Sequence, residues 1–295
     1  MYPFEYVAPS SIQEVLRAIA DNEDYEVILW GGGTSNTLLL KQNLISPTKV
    51  VGLSRVPGLK GIDKTADGGV RIGACTSIRE IEQSELLQRI LPCLPETAGK
   101  IGNVRVRNAA MLGGHLVHSD PAQDLPPLLL ALDAEVKLVS LSGERILPMK
   151  DFFVDTMETA TRPDELLTEV TIPAAALERK TRYVKYVPRS QDDYGTVGVA
   201  VSLKLAADGK TCEEVRIGVG GAAATALRFP EVEEELTGQV LTPERCAAAA
   251  AKVGELVEPW DDARGTEAYK RAMSRVWTQR LLLALSGGSP AQAAV

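Results

Sequence analysis

Apolar residues recur at helical spacing in some segments of the chain and at strand spacing in others. In residues 11–20 the apolar positions fall three or four apart, which predicts an amphipathic helix, and an apolar strand at 26–30 follows. Further segments alternate up to residue 172: strands at 49–53, 69–74 and 166–172, helices at 37–41 and 77–88, and a hairpin over 135–148. Ser77 and Glu80 have the spacing of a capping box. This mixture predicts α/β layers in the first half.

The pattern changes after about residue 173. Strand-like segments then follow one another with short turns, at 181–188, 195–206 and 213–221. From residue 231 to the end the chain is predicted to be helical. Meandering strands followed by helices predict a separate α+β unit. We therefore expect an N-terminal domain over 1–176, with subdomains at about 1–56 and 57–176, and a C-terminal domain over 177–295 whose last eight residues fray.

Composition and charge narrow the class of protein. The chain carries 39 acidic and 32 basic side chains, a formal net charge of −7, which argues against a nucleic-acid binder because such proteins cluster Lys and Arg on phosphates. The four cysteines form no C-x-x-C pair, so no zinc ribbon or iron–sulfur ligand run is expected. The first residues lack a signal-peptide pattern, and the longest apolar run, 125–132, is too short to span a membrane. We expect a cytoplasmic protein.

A run of glycines follows the predicted strand at 26–30. The candidate binding residues of this turn are Gly31, Gly32, Gly33, Thr34, Ser35 and Asn36. Consecutive glycines let several backbone N–H groups converge on one anion, and two hydroxyls add donors, so the turn suits a phosphate. The turn is neither G-x-G-x-x-G nor a P-loop. Taken alone, it also fits a tight connection between a strand and a helix.

A second glycine pair lies in a polar segment further along. Its candidate binding residues are Arg107, Met111, Leu112, Gly113, Gly114, His115 and, further on, Asp124. A carboxylate here would accept hydrogen bonds from ribose or adenine groups while the glycine turn donates to phosphates. The alternative is an ordinary loop whose aspartates begin turns. His115 and His118 lie three residues apart, but the surrounding glycines and the Asp-Pro step disfavour a rigid ligand helix, so no metal site is predicted.

Together the two turns resemble those of a known family, the FAD-binding subunits of the molybdenum hydroxylases. These are the medium chains of carbon monoxide dehydrogenase-type and xanthine dehydrogenase-type enzymes. The family shows a small-Gly-Gly-Thr/Ser turn near residue 30, then R-N-x-A-T-I-G-G-N and S/A-D-P-x-x-D-L-P. This chain has G-G-G-T-S at 31–35, R-N-A-A-M-L-G-G-H at 107–115 and S-D-P-A-Q-D-L-P at 119–126. The resemblance extends over nearly the whole chain, through 189–197 and 264–271.

The resemblance implies an α+β protein with the vanillyl-alcohol oxidase-like flavoprotein fold. Two N-terminal α/β subdomains would form an FAD-binding cleft, and an antiparallel sheet with helices would form the C-terminal part. FAD would be extended, with its pyrophosphate on the backbone of the two turns. Tyr194 is the candidate for contact with the flavin ring. No residue of this chain is expected to act as a catalytic acid, base or nucleophile.

The resemblance also implies an electron-transfer role within a heteromeric complex. In the family, substrate is hydroxylated at a molybdopterin cofactor on a large subunit. Electrons then pass through two [2Fe–2S] clusters on a small subunit to FAD and on to NAD, oxygen or a quinone-type carrier. Two alternatives remain: a free-standing FAD-dependent oxidoreductase, and a scaffold subunit that has lost flavin. The scaffold alternative rests on Met111, which replaces a threonine hydroxyl, and on His115, which replaces Asn or Asp.

Overall fold

The computed structural model describes residues 2–20 and 26–287. The first part of the fold is a small parallel sheet. The elements in chain order are β1 (Glu5–Val7), α1 (Ile12–Ile19), β2 (Val27–Trp30), α2 (Thr34–Lys41) and β3 (Lys49–Gly52). The strand order is β1-β3-β2, with both pairs parallel. Ser11 caps α1, and the buried face of that helix, Val15, Leu16 and Ile19, packs in one core with Val51 of β3. Strand β2 leads directly into the glycine turn.

The second part is a five-stranded antiparallel sheet covered by short helices. Its strand order is β4-β5-β10-β6-β7, and a separate two-stranded ribbon is formed by β8 and β9. The elements are β4 (Ile62–Lys64), β5 (Val70–Gly73), α3 (Ile78–Gln83), α4 (Glu85–Ile90), α5 (Cys93–Ala98), α6 (Val104–Ala109), α7 (Leu112–His118), α8 (Leu125–Ala131), β6 (Glu135–Ser140), β7 (Gly143–Pro148), β8 (Phe153–Asp155), β9 (Glu158–Thr159) and β10 (Leu166–Ile172).

The third part is a four-stranded antiparallel sheet with helices on it. Its strand order is β11-β12-β13-β14. The elements are α9 (Ala174–Leu177), β11 (Lys180–Tyr186), β12 (Val197–Leu205), β13 (Cys212–Gly220), β14 (Leu227–Arg228), α10 (Pro230–Leu236), α11 (Pro243–Leu256) and α12 (Glu267–Leu285). Apolar residues of β12, β13 and the helices α10, α11 and α12 form one buried core.

Helix α8 joins the second part to the third. Every residue of this helix is buried, and it packs against β12, β13 and β14 as well as against its own subdomain. The approach is close, because a Cβ on Gly218 of β13 would overlap the backbone carbonyl of Pro127. Just beyond the helix, Asp133 forms ion pairs with three arginines of the third part: Arg179, Arg216 and Arg228. The segment after Asp124 is therefore fixed from both sides.

Several predicted elements differ from those in the structure. The helix predicted over 77–88 is two helices, because Ser84 has extended backbone angles and its hydroxyl accepts from Leu87 N–H, which starts α4 anew. The capping box of Ser77 and Glu80 is present. The stretch from residue 231 is three helices separated by loops, and the two-residue strand β14 was not predicted. The fraying predicted for the last eight residues lies outside the described residues.

Two other features concern the chain as a whole. Across residues 2–20 and 26–287, no helix has both the length and the apolar character needed to cross a membrane. The four cysteines, Cys75, Cys93, Cys212 and Cys246, are buried free thiols. Burial raises the pKa of each of them above its usual range, so they are small packed side chains and not reactive thiolates.

Candidate functional site

At two positions of the first glycine turn, neighbouring atoms leave no room for a side chain. Gly33 caps α2 with a φ of 68°, the left-handed region that glycine tolerates best, and a Cβ there would overlap the Trp30 indole. A Cβ on Gly32 would overlap the carbonyl oxygen of Ala109 at the end of α6. The first glycine turn therefore packs directly against the segment that leads into the second glycine turn. The first turn of α2 begins immediately afterwards at Thr34, and the first N–H groups of a helix have no partners within it.

The second glycine turn begins α7 and contains glycines with different surroundings. Gly113 is buried, donates its N–H to the Ala74 carbonyl at 2.7 Å, and has the Ala74 methyl 2.7 Å from where its own Cβ would lie. Gly114 is exposed, and a Cβ there would meet no atom within 4 Å. Met111 lies between the two turns, with its sulfur 3.1 Å from the Cβ position of Gly31. Gly114 therefore leaves open space, whereas Gly113 and Met111 are packing positions.

The two turns form walls of one cavity of about 640 Å³. Residues from all three parts of the fold contribute to its lining. Twelve predicted binding residues line it: Gly31, Gly32, Gly33, Thr34, Ser35, Asn36, Met111, Gly113, Gly114, His115, Asp124 and Tyr194. A volume of this order fits a cofactor or drug-sized molecule.

The two other predicted binding residues, Arg107 and Leu112, do not line the cavity. Leu112 is 1% exposed and belongs to the core of the second subdomain. The Arg107 guanidinium donates to Glu82 at 2.8 Å and to the carbonyl oxygens of Ile101 and Gly102 at 3.2 and 2.7 Å. In the structure, Arg107 therefore anchors the loop before α6 to α3.

Asp124 lies in the cavity wall but is already bonded by the protein. Its Oδ1 accepts from the Tyr183 hydroxyl at 2.8 Å, and its Oδ2 is 3.1 Å from the ammonium of Lys185. Lys185 also donates to the carbonyl oxygens of Lys100 and Gln191, at 2.8 and 3.3 Å. Burial raises the pKa of Asp124, and the Lys185 charge opposes that shift. We interpret Asp124 and Lys185 as a buried ion pair whose opposite charges neutralise each other.

Lys185 is a cavity residue that was not predicted from the sequence. It follows Tyr183 by two positions in β11, so both side chains point to the same buried face of the strand. A lysine that is only 7% exposed is an unusual placement. The sequence offers little signal for it, because Lys185 shares its face of the strand with Thr181 and Tyr183.

Two polar atoms on side chains that line the cavity have no hydrogen-bond partner within residues 2–20 and 26–287. They are the buried Nε2 of His115 and the buried Oε1 of Gln123. Burial lowers the pKa of His115 to about 3, and the nearby charges of His118 and Lys185 add to the shift, so its ring is neutral at physiological pH. Unpartnered buried polar atoms are rare, and these two lie beside the cavity without being exposed to it.

Tyr194 contributes an aromatic ring at the cavity. It is 42% exposed and its ring centroid is 6.0 Å from the Arg264 guanidinium carbon. Partial burial raises the pKa of Tyr194 to about 12, with Asp120 and Asp124 adding to the shift, so its hydroxyl stays protonated. Open backbone at Gly114 and an aromatic ring in the same cavity fit a cofactor that has a phosphate part and a flat ring.

Two known domains account for most of the chain. Residues 2–175 match the FAD binding domain in molybdopterin dehydrogenase, and residues 182–285 match the CO dehydrogenase flavoprotein C-terminal domain. The chain belongs to this family. It is an FAD-binding subunit of the molybdenum hydroxylases, and so an oxidoreductase component, which confirms the resemblance inferred from the two turns.

Similar proteins match this flavoprotein subunit end to end. It is 35% identical to the 6-hydroxypseudooxynicotine dehydrogenase complex subunit alpha of Paenarthrobacter nicotinovorans, over 95% of this chain and 93% of that one. It is 33% identical to the carbon monoxide dehydrogenase medium chain of Hydrogenophaga pseudoflava, over 95% and 96%. A solved structure of carbon monoxide dehydrogenase from that organism gives a TM-score of 0.91 at 33% identity and covers 100% of both chains. The expected fold class is confirmed.

Proposed function

We propose that this chain binds FAD in the cavity between its three parts and that the bound FAD takes part in electron transfer within a larger complex. The observation that supports this most directly is the convergence of both glycine turns, Lys185 and Tyr194 on one cavity. The backbone of the two glycine turns would hold the pyrophosphate, and Gly114 leaves room for it. The residues from 177 onward would complete the site from the other side, which fits the division into domains at 1–176 and 177–295.

We further propose that the partners are a large subunit with the molybdopterin cofactor and a small subunit with two [2Fe–2S] clusters. Several relatives are named as medium chains or as subunits of dehydrogenase complexes, which supports a heteromeric assembly. FAD held in this cavity would supply the redox chemistry that links those clusters to an external acceptor of the NAD, oxygen or quinone type. Four free thiols suit a reducing compartment, and we place the complex in the cytoplasm.

The experiment is to purify the tagged full-length chain from its native cells and record its composition and absorption spectrum. We expect flavin bands, iron–sulfur absorbance and two co-purifying subunits, one larger and one smaller than this chain. Flavin with turnover on the lone chain would support a free-standing flavoenzyme instead. A chain that co-purifies with partners but holds no flavin, even after incubation with FAD, would be a scaffold and would contradict the proposal.

The acceptor is tested on the same preparation. After anaerobic reduction by the substrate of the complex, NAD, oxygen and a soluble quinone are added separately and the return of the oxidised flavin spectrum is timed. The physiological class is expected to reoxidise the flavin within the turnover time, and the other two more slowly.

A further inference from the structure

Tyr194 gives the cavity wall an aromatic ring, and this ring belongs to an exposed loop. Residues 189–194, between β11 and β12, are all exposed, and Tyr194 lines the cavity from the end of this loop. The Lys185 ammonium holds one carbonyl of the loop, that of Gln191, at 3.3 Å. An exposed side chain loses conformational freedom when a ligand packs on it, and that loss weakens binding. A neighbour that already holds the ring would therefore strengthen binding.

Arg264 is a neighbour of that kind. Its guanidinium carbon lies 6.0 Å from the centroid of the Tyr194 ring, which is within the range of a cation–π contact. Arg264 comes from the loop between α11 and α12, far from Tyr194 in the sequence. It does not line the cavity. Arg264 therefore contacts the ring and leaves the contact with a ligand to Tyr194.

The guanidinium of Arg264 is itself fixed by a carboxylate. Asp262 Oδ2 accepts from Arg264 Nε at 3.1 Å and lies 2.9 Å from Nη2. Asp262 Oδ1 accepts from the backbone N–H of Arg264 at 2.8 Å. Asp262 and Gly265 exchange backbone hydrogen bonds of 3.1 and 3.2 Å, which close the four residues 262–265 into a turn. The direction of the Arg264 side chain is thus set within this turn.

Two buried side chains anchor the turn 262–265 to the rest of the fold. Lys270 of α12 is 2% exposed, and its ammonium lies 2.9 Å from Asp262 Oδ2 and donates to the Trp260 carbonyl at 3.0 Å. Thr196, directly before β12, is 1% exposed, and its hydroxyl donates to the Arg264 carbonyl at 3.0 Å. The turn is therefore joined both to α12 and to the chain segment that carries the aromatic ring.

We propose that Arg264 is a positioning residue that holds the ring of Tyr194 in place for contact with a flat ring of bound FAD. This inference rests on the proposed binding of FAD. A tyrosine can stack on the isoalloxazine or on the adenine, since both are flat aromatic rings, and the test distinguishes them. Arg264 acts on the ligand only through Tyr194, so its effect must vanish when the tyrosine ring is removed.

The test is a double-mutant cycle on the full-length chain stripped of flavin. Arg264→Met keeps a long side chain and removes the charge, Tyr194→Leu removes the ring, and a third protein carries both changes. Arg275→Met makes the same change at an exposed position of α12 outside the cavity lining and serves as the matched control. Calorimetry gives the dissociation constants of FAD, ADP and FMN, and melting of the flavin-free proteins reports on folding.

We expect Tyr194→Leu to weaken FAD binding by about tenfold and Arg264→Met by about fivefold. The double variant should bind FAD as Tyr194→Leu does, because Arg264 has no ligand contact of its own to lose. Arg264→Lys keeps a cation and should recover part of the affinity, whereas Arg275→Met should bind as the wild type does. A loss seen with FMN and not with ADP assigns the contact to the isoalloxazine, and the reverse assigns it to the adenine.

Three results would overturn the inference. FAD binding unchanged in Arg264→Met would mean that the ring needs no support, and binding unchanged in Tyr194→Leu would mean that the ring makes no contact. Equal losses from Arg264→Met with and without the Tyr194 ring would mean that Arg264 only stabilises its turn. If Arg264→Met folds poorly, Arg264→Lys in both backgrounds supplies the same cycle. Failure of the wild-type chain to bind FAD would instead refute the proposed function.

Discussion

The glycines of the two turns separate into those that the protein needs and those that a ligand needs. Gly114→Val should abolish retention of FAD, because the side chain would occupy the open space of the second turn. The Cβ of the new side chain meets no atom of the described residues within 4 Å, so the melting temperature of the flavin-free chain should change by no more than about 2 °C. Flavin content after purification and a melting curve check both. Full flavin occupancy in Gly114→Val would refute this placement of the phosphate.

Gly32→Ala provides the contrast. A Cβ at this position overlaps the Ala109 carbonyl, so the substitution must push the two turns apart. We expect the flavin-free chain itself to lose about 1–3 kcal/mol of unfolding free energy, together with flavin. Urea unfolding measures this loss. A Gly32→Ala variant as stable as the wild type would show that the two turns can separate freely.

Met111 departs from the family pattern, and its surroundings define what the departure does. Its side chain contacts Gly31 and packs beside the core of the first subdomain, so it joins the two turns. Met111→Thr should therefore lower the unfolding free energy of the flavin-free chain by about 1–2 kcal/mol through lost packing. The new hydroxyl should tighten FAD by about 1 kcal/mol if it reaches the pyrophosphate. Measuring melting and the FAD dissociation constant together separates the two effects. An unchanged melting temperature would contradict the packing role.

Candidate site residues could be selected from the sequence where the pattern is local. Each glycine turn is contiguous in sequence, so residues 31–36 and 111–115 could be singled out, and all of them except Leu112 line the cavity. Arg107 was misleading because a guanidinium beside glycines suggests phosphate, whereas Glu82, distant in sequence, binds it in the fold. Lys185 was missed because only the fold shows that this side chain is buried and lines the cavity.

The elements that were predicted well are those whose cause is short-range. Helix α1 has its cap and its apolar face within ten residues. Strands β12 and β13 carry a large apolar side chain at every second position over 197–203 and 215–219. Strand β14 has only two residues and exists because β13 offers it an edge, so no local pattern predicts it. The packing of α8 into the C-terminal sheet likewise depends on contacts between residues that are distant in sequence.

The ion pairs of Asp133, just after α8, should make the free energy of unfolding depend on pH in the acid range. Although burial opposes ionisation, the hydrogen bond from Arg228 and the charges of Arg179 and Arg216 lower the pKa of Asp133. A carboxyl whose pKa is lower in the folded state stabilises the fold above its unfolded pKa of about 3.9, and this contribution is lost as the pH falls through the folded value. We expect Asp133→Asn to reduce the unfolding free energy by about 1–3 kcal/mol at pH 7 and by progressively less as the pH falls through the lowered folded pKa.

Asp151→Asn is the matched control for this junction, since Asp151 is exposed and forms no ion pair with the described residues. Urea unfolding of both variants at a series of pH values gives the comparison. Equal losses at neutral and acid pH in Asp133→Asn would mean that packing, not charge, accounts for the role of Asp133.

The cavity lies where three separately packed cores meet, so a ligand in it should stabilise all of them together. Trp30 borders the first glycine turn, whereas Trp277 lies in the C-terminal core and Trp260 lies close to that core. Trp30→Phe leaves fluorescence that reports on the C-terminal part, and a Trp260→Phe/Trp277→Phe variant leaves Trp30 alone. We expect FAD at about 100 times its dissociation constant to add about 2.7 kcal/mol to the unfolding free energy in both variants, because ligand binds only the fully assembled cavity. A rise seen by Trp30 alone would mean that the C-terminal part contributes nothing to binding, and that Lys185 and Tyr194 merely lie near the site.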